Sequence, residues 1–404
     1  MSVNYWTLFK DKNYVRFYLA ESLSNIGSKM SVIALPLYVY FITHSAVDIG
    51  IAFAIETAPW IIFGTICGHI SDHYNRKTIM IICDVSRAIL LITIAFISKI
   101  FPIYFILFLL GFFNTLFTSA RAAALPMVIG KDSYVKAVAL SSVTSGVVSI
   151  AGPSLAALLL LFMEPRSLFL FDGGTFLLSS ALISSINIPK ILKSLAKHPQ
   201  NIKKIMITGF NFIRNNFRIS CVLQLDVIKS LIEGISIPLC VILIVEEYEY
   251  SKQFFALFMA AMSSGAALGA LAVGKIHKIS SRFKSSIFAL LLISFSYLGV
   301  AMFKLKLLLL LFWFLGGVGV GMTSVLTNTV IALESDDNVR GRVVGTANTL
   351  LCIAYVIGQA SSGNLSNWLG VRAVYLICFA VLLFYAPQLI RNIISVIKSE
   401  ENDE

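Results

Sequence analysis

Twelve long apolar runs constrain the fold of this chain more than any other feature. They cover residues 17–43, 49–71, 77–98, 102–124, 137–162 and 168–188, then 219–245, 253–275, 284–303, 305–333, 343–366 and 371–395. A helix of about 20 apolar residues crosses a hydrocarbon core about 30 Å thick. No water reaches that core, so each backbone N–H and C=O must be satisfied inside its own segment, which a helix achieves. Of the 404 residues, 57% are hydrophobic and 13% charged, whereas soluble domains hold roughly 45–50% and 25%. That balance excludes an ordinary soluble enzyme, a small disulfide-stapled domain and a disordered chain. The expected fold class is an all-α integral membrane protein with 12 transmembrane helices. The break between the ninth and tenth runs rests only on Lys304 and Lys306. Pro36, Pro59, Pro126, Pro153 and Pro238 lie within or at the ends of runs, where neighbouring helices satisfy the freed backbone groups.

A net charge of +11 would suggest nucleic acid for a soluble protein. In a membrane protein Lys and Arg gather in cytoplasmic loops, and no nucleic-acid partner is expected. With the N-terminus inside, 23 of the 32 Lys and Arg fall on the cytoplasmic side and six on the other, while Lys29, Arg87 and Lys229 lie inside runs. Both termini are therefore expected in the cytoplasm, with the chain multi-pass in the plasma or inner membrane. Glu21, Asn25 and Lys29 interrupt the first run, so no cleavable signal is expected. All six cysteines lie in apolar stretches without a C-x-x-C, and read as small core residues.

Residues 189–218 form the one long polar connection, with Lys190, Lys193, Lys197, Lys203, Lys204, Arg214 and Arg218. Ile205, Met206, Phe210 and Ile213 predict an amphipathic helix lying on the inner leaflet. The chain then divides into a cytoplasmic segment 1–16, a six-helix half 17–188, the basic linker 189–218, a second half 219–395 and an acidic tail 396–404. Two pseudo-symmetric halves are expected, as in many transporters. Gly64 and Gly68 fall on Gly265 and Gly269 at an offset of 201, and Arg76 and Lys77 on His277 and Lys278. Gly152 falls on Gly358 at an offset of 206. G-x-x-x-G spacing permits close helix contact.

A charge inside a span is costly unless it meets water or a partner, so each is a functional candidate. The first run carries Glu21, Asn25, Ser28 and Lys29 on one helical face, and the seventh carries Asp226, Lys229, Ser230 and Glu233. The stripes correspond at an offset of 205, and both are expected at a central cavity. Asn114, Thr118 and Arg121 extend the polar lining from the fourth run, and Thr323 and Thr327 from the tenth, with Phe113 and Met322 beside them. Glu21 is expected to find Lys29 two turns away on its own helix or Lys229 across the cavity, and Asp226, Lys229 and Glu233 to form an ion pair or triad. The triad either neutralises itself structurally or leaves one acid short of a partner, able to exchange protons. Glu21, Asp226 and Glu233 are the candidate proton or cation sites. Glu56, one turn from Trp60, either contacts substrate or reaches the interface. Asp84 and Arg87 read as a structural pair supporting the loop before the third run, and Asp172 at the start of the sixth reads as capping or packing there rather than binding substrate.

That loop reads Gly68-His-Ile-Ser-Asp72-His73-Tyr-Asn-Arg76-Lys77. Asp72 can pair with the two bases and accept N–H bonds at the helix start, forming a latch that gates access; the alternative is plain positive-inside anchoring by Arg76 and Lys77. His69 and His73 share a face beside Asp72, but no further ligand cluster supports a metal, and none is expected. The loop resembles the signature of the major facilitator superfamily, Gly-x-x-x-Asp-Arg-x-x-Arg-Lys/Arg. Ala34-Leu35-Pro36-Leu37, Ser45-Ala46 with Gly50, Asp84 with Arg87, Asp172 with Phe176, and Arg340-Gly341-Arg342 resemble the macrolide-efflux-like branch of its drug:proton antiporters. His73 stands where the family has an arginine, and the antiporter Gly-Pro-x-x-Gly-Gly reads Gly152-Pro153-Ser154-Leu155-Ala156-Ala157.

The resemblance implies a secondary active exporter of a small amphiphilic drug or antibiotic, such as a macrolide, exchanging it for protons by alternating access. Helices 1, 4, 7 and 10 would line its cavity. A siderophore exporter and a lysophospholipid flippase are the alternatives, because Glu21, Asp226 and Glu233 balance Lys29, Lys229 and Arg121 evenly. No G-x-x-x-x-G-K-[ST] or catalytic set occurs, which disfavours self-energised transport and a membrane enzyme. The absence of long soluble domains disfavours a receptor. No cofactor is expected. The expected partners are a small-molecule substrate, protons and the lipid bilayer, and a single chain is expected to suffice.

Overall fold

The structure is a computed structural model that describes residues 5–188, 202–274, 276 and 279–403. Among the described residues it is helical throughout, with no strand. After a 3₁₀ turn at Tyr5–Lys10 come α1 (Lys12–Thr43), α2 (Ala46–His73), α3 (Arg76–Ile94), α4 (Ile100–Ile129), α5 (Lys131–Leu159) and α6 (Pro165–Ser184). The amphipathic α7 (Ile202–Asn215) precedes α8 (Phe217–Val241), α9 (Lys252–Gly274), α10 (Ile279–Met302), α11 (Lys306–Glu334), α12 (Asp337–Leu369) and α13 (Val371–Asp403). The short break at Lys304 separates α10 from α11 as expected. Asp11 caps α1 by accepting from the backbone N–H of Asn13, 2.8 Å away, and Asn216 caps α8 through Ile219. α8 runs on as a π-helical turn, Ile242–Glu247.

Eleven helices among the described residues are long and apolar enough to cross a membrane. The third expected span, α3, falls short because Arg76, Lys77, Asp84 and Arg87 crowd its 19 residues. Its interior charges are buried as a pair, as described below.

The chain forms two compact units, Met1–His44 with Ala54–His198, and Ser45–Phe53 with Pro199–Glu404. In the first, α6 packs on α1 and α3, and α3 on α4. One end of this unit is an apolar core that includes Tyr14, Phe17, Met80, Cys83 and Phe117. In the second, α11 lies between α9 and α10, and α8 packs on α12. The α9–α11 contact is a reciprocal glycine seam. A Cβ on Gly265 or Gly269 would strike the carbonyls of Phe314 and Val318, and one on Gly317 or Gly321 those of Met262 and Ala266. The matching Gly64 and Gly68 have nothing within 4 Å of a Cβ, so this pair makes no such contact.

α7 is seated on α12: Gly209 abuts Thr346 and the carbonyl of Arg342, and Ile213 is buried. One further expectation changes. Met322 packs with Val273 and Ala289 in an apolar cluster rather than beside the polar residues of α11. Lys190, Lys193, Lys197, His277 and Lys278 lie outside the described residues.

Candidate functional site

The helical period places Asp226, Lys229, Ser230 and Glu233 along one face of α8, and all four line a cavity of about 230 Å³ in the second unit. Lys229 Nζ lies 2.6 Å from Asp226 Oδ1 and donates to Thr323 Oγ1 of α11 at 3.0 Å. Its ammonium is thus held by one carboxylate and one hydroxyl. Glu233 Oε1, one turn further along α8, is buried with no hydrogen-bond partner. A desolvated carboxylate oxygen without a donor is costly unless it takes up a proton or a cation. Thr327 and Ser230 complete the polar wall as expected. Sequence reasoning missed Ser324 and Asn328 of α11 and Asn348 of α12, which also line the cavity. The spacing of Ser324 and Asn328 was a legible signal; Asn348, a single polar residue on its helix face, offered none.

Beneath this cavity, α8 is fastened by aromatic side chains. Tyr375 Oη donates to the carbonyl of Ser236 at 2.9 Å, and Tyr297 Oη meets Ser236 Oγ at 3.0 Å. Trp313 of α11 packs edge-on against Tyr297, ring centroids 5.9 Å apart. These contacts hold the turn that carries Glu233 against α10, α11 and α13.

In the first unit Glu21 of α1 pairs with Arg121 of α4, not with Lys29. The structure corrects the expected pairing because two turns along one helix separate Glu21 from Lys29, whereas α4 brings Arg121 directly alongside. Lys29 packs its Cβ toward Gly152 of α5, and its ammonium has no ion-pair partner among the described residues. Asn25 is half-buried. Ser28 and Thr118 are satisfied by their own helices, through the carbonyls of Ser24 and Asn114.

Arg87 pairs with Asp84, and its guanidinium lies 4.2 and 4.1 Å from the ring centres of Phe117 and Phe176. Asn114 Oδ1 accepts from Arg87 Nη1 at 3.3 Å, and Asp84 Oδ2 from Ser179 at 2.7 Å. The pair therefore ties α3 to α4 and α6 and does not brace the α2–α3 turn. Asp172 sits inside α6 rather than at its start. It accepts from Ser31 Oγ of α1 at 2.5 Å, so of the two expected roles, capping and packing, it takes the second. Glu56 is half-buried on α2, at the point where Gly111 of α4 meets its backbone carbonyl.

The α2–α3 turn also differs from expectation. Asp72 lies 3.9 Å from Arg76 with its side chain 68% exposed, a geometry worth little in water. Asn75, not Asp72, caps α3, accepting from Lys77 N at 3.0 Å. Arg76 donates to the carbonyls of Ser71 and Ala123, at 3.2 and 3.0 Å, and Lys77 to that of Ile186 at 2.8 Å. The two bases tie the turn to α4 and to the segment after α6 through carbonyls, not through the acid.

The family described as "transmembrane secretion effector" matches residues 3–404. The MFS-type transporter YfiS of Bacillus subtilis (strain 168) is 24% identical over 388 residues, covering 93% of this chain and 92% of YfiS. The enterobactin exporter EntS of Shigella boydii serotype 18 is 23% identical, covering 86% and 84%. Among solved structures, the nucleoside transporter NupG matches with a TM-score of 0.77 at 12% identity, over 94% of this chain and 98% of that one. An inward-facing, unoccupied bacterial homologue of the human lysosomal transporter Spinster matches with a TM-score of 0.78 at 14% identity, over 98% and 99%. These two likenesses concern the fold alone. A multi-pass helical membrane chain with that fold, matched over nearly its whole length, belongs to the transmembrane secretion effector family of major facilitator superfamily transporters.

Proposed function

We propose that this transporter exports a small amphiphilic compound of the drug or antibiotic class by alternating access, in exchange for protons. The observation that carries this reading is Glu233, a carboxylate with one buried, unpartnered oxygen on the wall of a polar cavity. Lys229 is already engaged by Asp226 and Thr323. Glu233 is then the acid free to exchange a cation. A proton and a cationic or hydrogen-bonding cargo compete for it, and mutual exclusion at one carboxylate is sufficient for antiport. Asp226 and Lys229 set its local charge, Thr323 holds Lys229, and Ser230 and Thr327 supply hydroxyls to the cargo. Glu21, held by Arg121, takes the corresponding part in the first unit. The enterobactin exporters among the relatives favour a second reading, in which the cargo is a siderophore and Lys229 meets its anionic groups.

The test is substrate-dependent proton movement in inverted membrane vesicles carrying a pH gradient, with macrolides, cationic dyes and catechol siderophores as the panel. One class is expected to dissipate the gradient. Glu233→Gln is expected to abolish that effect with the protein still folded and inserted. Normal exchange in both Glu233→Gln and Glu21→Gln removes the assignment. A folded protein that moves no protons with any compound points instead to lipid transport.

A further inference from the structure

The first unit buries a polar network that the proposed exchange at Glu233 does not use. Asp84, Arg87 and Asp172 are 0%, 5% and 2% exposed. Arg87 is the only cation in this network, and it is committed to Asp84. Its Nε is buried without an acceptor. Asp172 has no such cation bound to it. Its hydrogen-bonding neighbours are two hydroxyls, Ser31 Oγ at 2.5 Å from Oδ2 and Thr175 Oγ1 at 3.3 Å from Oδ1. The charged groups that act on it are Arg87 from α3 and Glu56 from α2; α1 offers Ser31, and Asp84 beyond Arg87 holds the guanidinium. Asp84 and Asp172 thus share one guanidinium, and Glu56 adds a like charge near Asp172. A buried charge left without a partner is strongly destabilising, so the surplus must be neutralised.

Hydrogen-bond direction locates where. Thr175 has a single hydroxyl proton and two acceptors, the backbone carbonyl of Asp172 at 2.7 Å and Oδ1 at 3.3 Å. The shorter bond takes the proton, the usual back-bond of a helical threonine. Oδ1 is left with at most the weaker share of that proton, and a proton of its own on Oδ1 can donate to the Thr175 lone pair. Ser31 serves either state, since its hydroxyl donates to Oδ2 whether the acid is charged or neutral. Water is kept from the group by close packing: a Cβ on Gly27 of α1 would strike both Asp172 Oδ1 and Thr175 Oγ1.

We propose that Asp172 is a proton-binding site of the first unit, protonated on Oδ1 against Thr175, with the Asp84–Arg87 pair as its fixed neighbour. Uptake forms one O–H bond, draws the proton from water, and raises the charge of the network by one. The site is separate from Glu233 and independent of the cargo.

Infrared difference spectra of the purified full chain, stepped between about pH 5 and about pH 9, the range that buried carboxyls reach, test it directly. The wild type is expected to show a protonated-carboxyl carbonyl band that titrates in this range. Asp172→Asn, which keeps the shape and the acceptor for Ser31, is expected to lose that component. Glu56→Gln is expected to move its midpoint without removing it. Spectra of Asp172→Asn that superimpose on the wild type, or a wild type in which no carboxyl band titrates, overturn the proposal. If Asp172→Asn does not fold, Ser31→Ala removes the donor to Oδ2 and must shift the band; an unshifted band overturns the proposal equally.

Discussion

Arg87 shows how a single residue decides the character of a helix. A guanidinium at a membrane-embedded position is tolerated here because Asp84 neutralises it and the rings of Phe117 and Phe176 cover it. Removing one member of such a pair costs about 3–5 kcal/mol, whereas replacing both with uncharged groups is often close to neutral. Arg87→Met is therefore expected to destabilise the purified protein by about 3–5 kcal/mol, and adding Asp84→Asn to recover most of the loss. Unfolding in detergent, followed for the wild type, the single and the double variant, measures both. A double variant no better than the single one shows that the pair is not the source of the loss. The same reasoning separates Glu21 from Glu233. Both are acids on polar helix stripes, but only Glu21 has a guanidinium against it.

At the scale of elements, one motif has two outcomes. Gly64-x-x-x-Gly68 and Gly265-x-x-x-Gly269 have the same spacing, yet only the second forms a seam, because α11 answers it with Gly317 and Gly321. Gly269→Leu drives a side chain into the Val318 carbonyl and is expected to cost about 1–3 kcal/mol. Gly64→Leu enters open space and is expected to stay within about 0.5 kcal/mol of wild type. Thermal unfolding of the two variants side by side decides it, and equal losses refute the seam. α3 gives the complementary lesson. It carries Arg76, Lys77, Asp84 and Arg87 within 19 residues, and its neighbours α4 and α6 supply what the buried pair lacks, Asn114 and Ser179.

For the whole molecule, the distribution of Lys and Arg is the signal in the chain that bears on orientation. It predicts that reporters fused to either end of the full-length protein read as cytoplasmic. A green fluorescent fusion should fluoresce at both termini, and a phosphatase that works only after export should be silent at both. The opposite pattern at either end reverses the orientation. The proposed coupling acids Glu21 and Glu233 belong to different units, so exchange in Glu21→Gln is expected to fall together with that in Glu233→Gln only if both units serve one transport cycle.

By itself the sequence determined the helices and their polar stripes. Hydropathy and the 3.6-residue period are local, and a membrane leaves few alternatives to a helix. It placed Asp226, Lys229, Ser230 and Glu233 on one face and separated α10 from α11 at two lysines. Tertiary structure decided the partners. Arg121 is 100 residues from Glu21, Thr323 is 94 from Lys229 and Ser31 is 141 from Asp172, so no spacing rule joins them. Those pairs depend on how each helix is rotated and which neighbour it meets. The same rotation left Gly64 open and brought α7 down on α12 through Gly209. A charged side chain in a span announces that it must be satisfied, and only packing between helices says by what.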